Sequence, residues 1–307
     1  METYGVIDLG SNSIRLVIYS LKNSKKKTYC SKDIKRVLND KAMAGLAAYV
    51  INNKFTQAGI DKAVSVLKSH IKHASYYNCK RLEVFATAVI RNANNCNSVL
   101  SEIKARTGLS ISLLSAHDEA HLGFVGASLS NELSNGTLID IGGGSTEITC
   151  INNGVDSNNI SLPQGSLSSF SKYVSGIIPT NCEMKAIKTE FEKHISKLQN
   201  PSVYKANVLY GIGGSARAST KIYQQLANLD KRPHEISHIQ LQEVLKASAA
   251  NPNAFSHTAL KAVADRIHTI VPGCIILNTI FEKLEAEKLI VCKYGVREGY
   301  LLDRMLN

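Results

Sequence analysis

One pattern occurs twice in this chain and constrains its fold more than any other feature. Val6-Ile7-Asp8-Leu9 runs into the turn Gly10-Ser11-Asn12-Ser13 and then the apolar stretch Ile14–Leu21. Thr137–Asp140 runs into Gly142-Gly143-Gly144-Ser145 and then Thr146–Ile151. Both copies read strand, Asp, apolar residue, glycine-bearing turn, strand. Such self-similarity predicts two copies of one domain type. The 307 residues fit two α/β domains better than a single core. The boundary is expected between Ala127 and Ser134, giving an N-terminal domain of residues 1–127 and a C-terminal domain of residues 128–307.

The remaining elements alternate in the α/β manner. Residues 28–37 are expected to add a third strand. Thr56 is placed to cap a long helix with Ile60, Val64, Leu67, Ile71 and Ala74 on one face. Leu82–Thr87 and Ile111–Leu114 read as strands, with a helix over Ser98–Thr107 ending near Gly108 and another over about 117–129. A third glycine-rich turn, Gly211-Ile212-Gly213-Gly214-Ser215, follows a strand around Val208 and opens a helix. The rest reads as largely helical, closing with a strand at Lys288–Cys292 and a helix after Gly295.

Composition excludes some classes and favours one kind of partner. No run approaches the roughly 18 apolar residues of a membrane helix, and a strand begins almost at the first residue, which leaves no room for a signal peptide. The seven cysteines are scattered without CxxC spacing, so neither a disulfide frame nor a zinc site is expected, and a reduced cytoplasm is the simplest setting. The net charge of +11 favours a polyanionic partner, although solubility alone also explains it. Lys22, Lys25, Lys26 and Lys27 read as a solvated hairpin tip.

The turns carry the chemistry. Small residues let backbone N–H groups approach phosphate oxygens closely. An Asp at a strand end can hold a divalent metal that neutralises the phosphate. Three tight turns without a ligand are the plain alternative. His117 and His121 share a predicted helix face, but with no HExxH motif and no third ligand nearby they read as two exposed histidines.

On these residues the chain resembles a known family. "VIDLGSNSIRLVIY" and "LIDIGGGSTEIT" are similar to the two phosphate motifs of the actin, sugar kinase and chaperone-ATPase superfamily. "FATAVIRNANN", "LLSAHDEAHLGFVGA", "SLPQGSLSSF" and "YGVREGYLLD" narrow the resemblance to the exopolyphosphatase / guanosine pentaphosphate phosphatase family in its short, two-domain form. The resemblance implies two actin-like (ribonuclease H-like) domains with a phosphate-binding cleft between them. It implies Glu119 as the catalytic base, and Asp140 and Glu147 beside magnesium or another divalent cation. Ser11, Asn12, Ser13, Arg15 and Arg91, with Gly142, Gly143, Gly144 and Ser145, are implied to bind substrate phosphate. These roles suit phosphoryl transfer, which needs positioned charge more than covalent help.

Without the resemblance, Glu119 is a helix-start acid, Arg91 caps or pairs with a neighbour, and Glu147 faces solvent. The chain departs from the family at His117-Asp118-Glu119-Ala120-His121, where relatives have a richer acidic run and an arginine, and at "GIGGSARAS", where they tend to threonine. The expected activity is release of terminal orthophosphate from inorganic polyphosphate, with guanosine pentaphosphate as a related substrate. A phosphotransferase of the same superfamily and a non-catalytic alarmone sensor are the alternatives. Neither membrane nor nucleic acid is an expected partner; a homodimer is expected only by analogy with relatives.

Overall fold

The protein is described by a computed structural model covering residues 2–22, 28–198 and 200–306. Lys25, Lys26 and Lys27 of the expected hairpin tip lie outside the described residues. The chain divides into two compact units, Met1–Ser130 with the segment from Tyr294 onward, and Asn131–Lys293.

In the first unit, β1 (Glu2–Leu9), β2 (Ser13–Leu21) and β3 (Ile34–Met43) form an antiparallel meander. A short ribbon follows, β4 (Val50–Ile51) with β5 (Lys54–Phe55). Then come α1 (Gln57–Tyr76), β6 (Arg81–Ala86), α2 (Ala88–Arg91), α3 (Cys96–Thr107), β7 (Ile111–Leu113) and α4 (Ala116–Ser128). The sheet order is β3-β2-β1-β6-β7, with β6 and β7 parallel to β1. The Thr56 hydroxyl accepts the Gly59 N–H at the start of α1, as its position before the apolar period predicts. Ile7, Leu9, Ile14, Leu16 and Ile18 pack against Ile60, Val64 and Leu67 of α1 and Val99 and Ile103 of α3. Tyr4, Val6, Val17, Tyr19 and Phe85 point to the opposite face, where Leu122 of α4 meets them. Burial on both faces is why β1 reads as a nearly continuous apolar run rather than an alternating one.

The second unit repeats the plan. β8 (Gly136–Ile141), β9 (Thr146–Asn152) and β10 (Val155–Leu162) form the meander. Next are α5 (Ser166–Tyr173), α6 (Asn181–Ile195), β11 (Val208–Ile212), α7 (Gly213–Leu226), β12 (Glu235–Ser237), α8 (His238–Ala250), α9 (Pro252–Val263), α10 (Ile270–Leu284) and β13 (Lys288–Val291). Its sheet runs β10-β9-β8-β11-β13-β12, with β11 and β13 parallel to the first strand, as β6 and β7 are in the first unit. The internal repeat is therefore a repeat of topology. Ile139, Ile148, Leu209 and Leu289 from the strands meet Ile187 and Phe191 of α6 and Ile276 and Ile280 of α10 in its core.

Three features depart from the sequence reading. The third strand is Ile34–Met43 rather than residues 28–37, because this polar edge strand takes its position from pairing with β2, through a bulge at Ile18/Tyr19. β10 and β12 lie in stretches that read as loop or helix. The last segment does not stay with the second unit: α11 (Val296–Tyr300) joins the first. The physical cause is backbone contact with α4. A Cβ on Gly299 would stand 1.8 Å from the Leu122 carbonyl oxygen, and one on Gly126 would stand 1.9 Å from that of Gly295. A domain taken as residues 128–307 therefore includes a segment that packs elsewhere. No helix among the described residues is long and apolar enough to cross a membrane.

Candidate functional site

Ligands of open α/β sheets gather outside the carboxyl ends of the parallel strands. In the first unit those ends belong to β1, β6 and β7, and backbone bonds draw the following segments together. Thr87 N donates to Leu9 O at 3.4 Å, and Leu114 N to Ala86 O at 3.0 Å. The turn after β1 closes with Gly10 N on Ser13 O at 3.1 Å. Its carbonyls are tied back: Asn12 O accepts from Ala44 and Gly45, and Ser11 O from Ala47. Ser11, Asn12 and Ser13 thus sit in a turn braced from the residues after β3.

Arg91 ends the single turn of α2, and Glu119 stands in the first turn of α4. Arg91 Nη1 donates to Leu114 O at 2.9 Å and to Glu119 Oε2 at 3.0 Å. Only 18% of the arginine side chain and 12% of the glutamate side chain reach solvent, so this is a sheltered, charge-assisted bond. The neighbouring acid has another task. Asp118 closes a capping box with Ser115 and accepts from Arg304 at 2.8 Å, and the Ser115 hydroxyl foremost holds its carboxyl below the usual range. His117 is exposed, as expected, whereas His121, expected to be exposed as well, is half-buried on α4.

Asp8 lies directly across the ladder from Arg15, and Arg15 across from Lys41. Arg15 also reaches Asn39 Oδ1 at 3.4 Å. From α11, Arg297 Nη1 donates to Asp8 Oδ2 at 2.7 Å. The next residue, Glu298, is buried and accepts from Tyr19 (2.7 Å) and Arg36 (2.8 Å). Burial opposes the charge on Glu298, but Arg297 and Arg36 outweigh it and hold its carboxyl below the ordinary range. Burial likewise works against the Arg297 guanidinium, and Asp8, Glu298 and Tyr19 more than offset it.

In the second unit Gly142 N closes the turn on Ser145 O at 2.9 Å, matching the first unit's turn. The start of α5 clamps it: Ser166 N and Oγ donate to Gly142 O, and Leu167 N and Ser168 N to Gly143 O, all at 2.8–3.0 Å. Gly165 allows this approach, since a Cβ there would stand 2.6 Å from Gly143 O. Ser215 Oγ at the start of α7 donates to Ile141 O at 2.9 Å. Asp140 stands directly across the ladder from Glu147, so both carboxylates share one face. Glu147 does not face solvent; it is 3% exposed and accepts from Ser161 Oγ at 2.8 Å. Asp140 Oδ1 occupies the space beside Gly213, where a Cβ would fall 2.1 Å away, and Gly213 also has φ +76. Only glycine satisfies both demands.

Two functional candidates escaped the sequence reading. Arg297 lies inside "YGVREGYLLD", but no local pattern says that it reaches Asp8. Arg266 stands in no motif, yet its guanidinium covers the start of α7: a Cβ on Gly214 would fall 1.7 Å from Nη2. The signal for both is the glycine they cross or lie near, which becomes legible only once the packing is known.

The donor set fits a hard divalent cation. Like charges directly across a ladder repel, and two carboxylates beside a glycine turn suit Mg2+, which is typically held by one or two carboxylates plus substrate and water. Among the described residues no three His, Cys, Asp or Glu side chains gather into a metal cage, and this mode of binding does not require one. A surface cavity of about 560 Å3 lies at the other end of the second sheet, where β8 and β11 begin, and holds none of these residues.

Two sheets that share a five-strand order, the second with antiparallel β12 added at its edge, each opening with a strand–turn–strand hairpin that carries Asp near its first strand's end, define an α/β protein of the actin-like class. Within that class the chain belongs to the Ppx/GppA phosphatase family, whose sequence profile matches residues 17–307. It is 27% identical over 316 residues to exopolyphosphatase 1 of Mycobacterium tuberculosis, spanning 98% of this chain and 88% of that one. A bifunctional 3-dehydroquinate synthase/phosphatase of Fusobacterium nucleatum is 25% identical, over 98% of this chain and 46% of its own length. Among solved structures, an exopolyphosphatase from Cytophaga hutchinsonii superposes with a TM-score of 0.85 at 18% identity, covering 99% of this chain and 98% of that one. The Aquifex aeolicus Ppx/GppA family member gives 0.78 at 23% identity, with 99% and 98% covered. At these identities the superpositions speak to fold.

Proposed function

We propose that this protein is a metal-dependent exopolyphosphatase that releases terminal orthophosphate from inorganic polyphosphate. The observation that carries the reading is the sheltered Arg91–Glu119 pair at the carboxyl ends of the first sheet's parallel strands. It puts a carboxylate able to take a proton beside a guanidinium able to grip phosphate. The likeness to proteins named exopolyphosphatase supports the choice of substrate.

In this reading Glu119 orients a water and accepts its proton as the water oxygen bonds to the terminal phosphorus. The bridging P–O bond breaks, and its electron pair leaves with the shortened chain. Arg91 and Arg15 hold phosphate oxygens, as do Ser11, Asn12 and Ser13. In the second unit Gly142, Gly143, Gly144 and Ser145 offer backbone and hydroxyl donors. Asp140 and Glu147 would hold Mg2+ or another divalent cation. Such an ion, when bound, neutralises phosphate charge.

The test is a substrate panel of long-chain polyphosphate, short polyphosphates, guanosine pentaphosphate and ATP, with and without Mg2+ and with and without ADP. Orthophosphate release from polyphosphate without ADP supports the reading. ATP formation from ADP points to a phosphotransferase, and tight binding of guanosine pentaphosphate without turnover points to a sensor. Preference for guanosine pentaphosphate would move the assignment to the other named activity of the family.

A further inference from the structure

Three successive carbonyls leading into the second glycine turn, those of Ile141, Gly142 and Gly143, are taken by helix starts. Ser215 Oγ donates to Ile141 O at 2.9 Å. Ser166 N and Oγ both donate to Gly142 O, at 2.9 and 3.0 Å. Leu167 N and Ser168 N donate to Gly143 O at 2.9 and 2.8 Å. The N-cap of α5 is Gly165, which has no side chain to offer. The first N–H groups of α5, which a helix leaves without internal partners, are satisfied by the glycine turn instead. Ser166 is 2% exposed, so its bonds to Gly142 O are shielded from water. In a planar trans peptide the carbonyl of one residue and the N–H of the next point opposite ways. With the Gly142 and Gly143 carbonyls drawn to α5, the N–H groups of Gly143 and Gly144 point away from it. Among the described residues neither N–H has an acceptor. The first turn repeats this at the matching place: Ser11 O accepts from Ala47 N at 2.9 Å, which turns the Asn12 N–H away from that segment.

We propose that Ser166 is a positioning residue: with the start of α5 it locks two peptide planes of the second turn, so that the N–H groups of Gly143 and Gly144 face a phosphate. The inference rests on the reading above, in which this turn receives substrate phosphate, and deepens it. Glycine adopts almost any backbone conformation, so peptide planes in a Gly-Gly-Gly run rotate readily. Such a run left to itself presents carbonyl oxygens, which repel phosphate, as well as N–H groups, which bind it. Ser166 removes that freedom. Its N–H and hydroxyl both hold Gly142 O, so turning the plane over breaks two bonds. Donors fixed before an anion arrives need no rearrangement when it binds. Ser166 acts through the Gly143 N–H and touches no substrate itself.

The experiment titrates inorganic phosphate, with Mg2+ present, into the full-length protein labelled with 15N-glycine. Amide signals of Gly143 and Gly144 are followed by nuclear magnetic resonance, and steady-state phosphate release from polyphosphate is measured in parallel. In wild type both signals are expected to move and to saturate together. Removing a preorganised donor outright typically costs 10²–10³-fold; here the donors remain but lose their alignment, so Ser166→Ala is expected to weaken phosphate binding and turnover about tenfold each. Ser166→Thr keeps the hydroxyl and is expected to recover both. Should Ser166→Ala fail to fold, Ser166→Cys offers only a weak donor and is expected to show the same losses in smaller measure. Wild-type phosphate affinity and turnover in a folded Ser166→Ala or Ser166→Cys protein overturns the proposal. So do Gly143 and Gly144 signals that ignore phosphate in wild type, and losses that Ser166→Thr does not restore, which make the serine a packing residue. If wild type releases no phosphate from polyphosphate, the functional reading fails instead, and the phosphate titrations still decide the role of Ser166.

Discussion

Arg91 Nη1 lies 3.0 Å from Glu119 Oε2, bridging two helices that follow different parallel strands. The same guanidinium donates to Leu114 O at 2.9 Å, so its position is fixed by backbone as well as by charge. In the proposed mechanism the glutamate acts on the attacking water and the arginine on phosphate oxygens, so removing each should affect a different step.

Glu119→Gln keeps side-chain volume and the contact with Arg91 while losing the ability to take a proton. Turnover should fall by about 10²–10⁴-fold, the usual value of general-base catalysis, with KM close to wild type. Single-turnover phosphate release, with binding measured separately, checks this. Wild-type turnover in the folded variant would remove Glu119 from the mechanism.

Arg91→Ala would remove the proposed grip on phosphate, one made in ground state and transition state alike. KM for polyphosphate should rise about 10- to 100-fold, the scale of a lost charge-assisted hydrogen bond. The smaller expected drop in kcat reflects the loss of the Arg91 bond that orients Glu119. Steady-state kinetics separates the two, and an unchanged KM would make Arg91 a purely structural partner of α4.

Asp140→Asn keeps the packing beside Gly213 but removes one of two facing carboxylates. The Mg2+ concentration for half-maximal activity should rise, and saturated turnover should fall by about 10²-fold. A magnesium titration of activity tests this; an unaltered metal requirement would clear Asp140 of the role.

Gly299→Ala tests the seating of α11. The new methyl would fall on the Leu122 carbonyl, which is backbone and cannot swing aside. Overpacking of this kind costs about 1–3 kcal/mol, and here the helix must shift. A lower urea midpoint is expected, accompanied by reduced turnover because Arg297 moves with the helix. A midpoint equal to wild type would mean that the contact relaxes freely.

Glu183 carries a pH-dependent share of stability. Backbone N–H groups of Thr180 and Ser175, with both hydroxyls, lower its pKa to about 2. A depressed carboxyl stabilises the fold above its unfolded pKa and loses that contribution as pH falls through the folded value. Glu183→Gln should therefore lower the melting temperature at neutral pH, by the equivalent of about 0.5–1 kcal/mol for this solvent-accessible cap. The gap from wild type should shrink below about pH 4 and close near pH 2. A gap independent of pH would assign the effect to packing.

What the sequence determined was local. The two turns, the Asp at each strand end, the Thr56 cap and the helix starting near Glu119 involve partners within a few residues, and short-range backbone and side-chain bonds specify them almost regardless of what packs around them. Tertiary structure decided the rest. Ile34–Met43 became a strand because β2 offered an edge, not because its own pattern demanded one. Arg91 and Glu119 meet across 28 residues, and Arg297 and Asp8 across 289, through strand order and a helix that returns to the first unit. Spacing along a chain cannot encode such contacts, since the direction of a side chain is set by the face its strand or helix buries. The same turn was therefore legible twice in the sequence, while the charge beside each copy was fixed only when the sheets closed their ladders and α11 came to rest on α4.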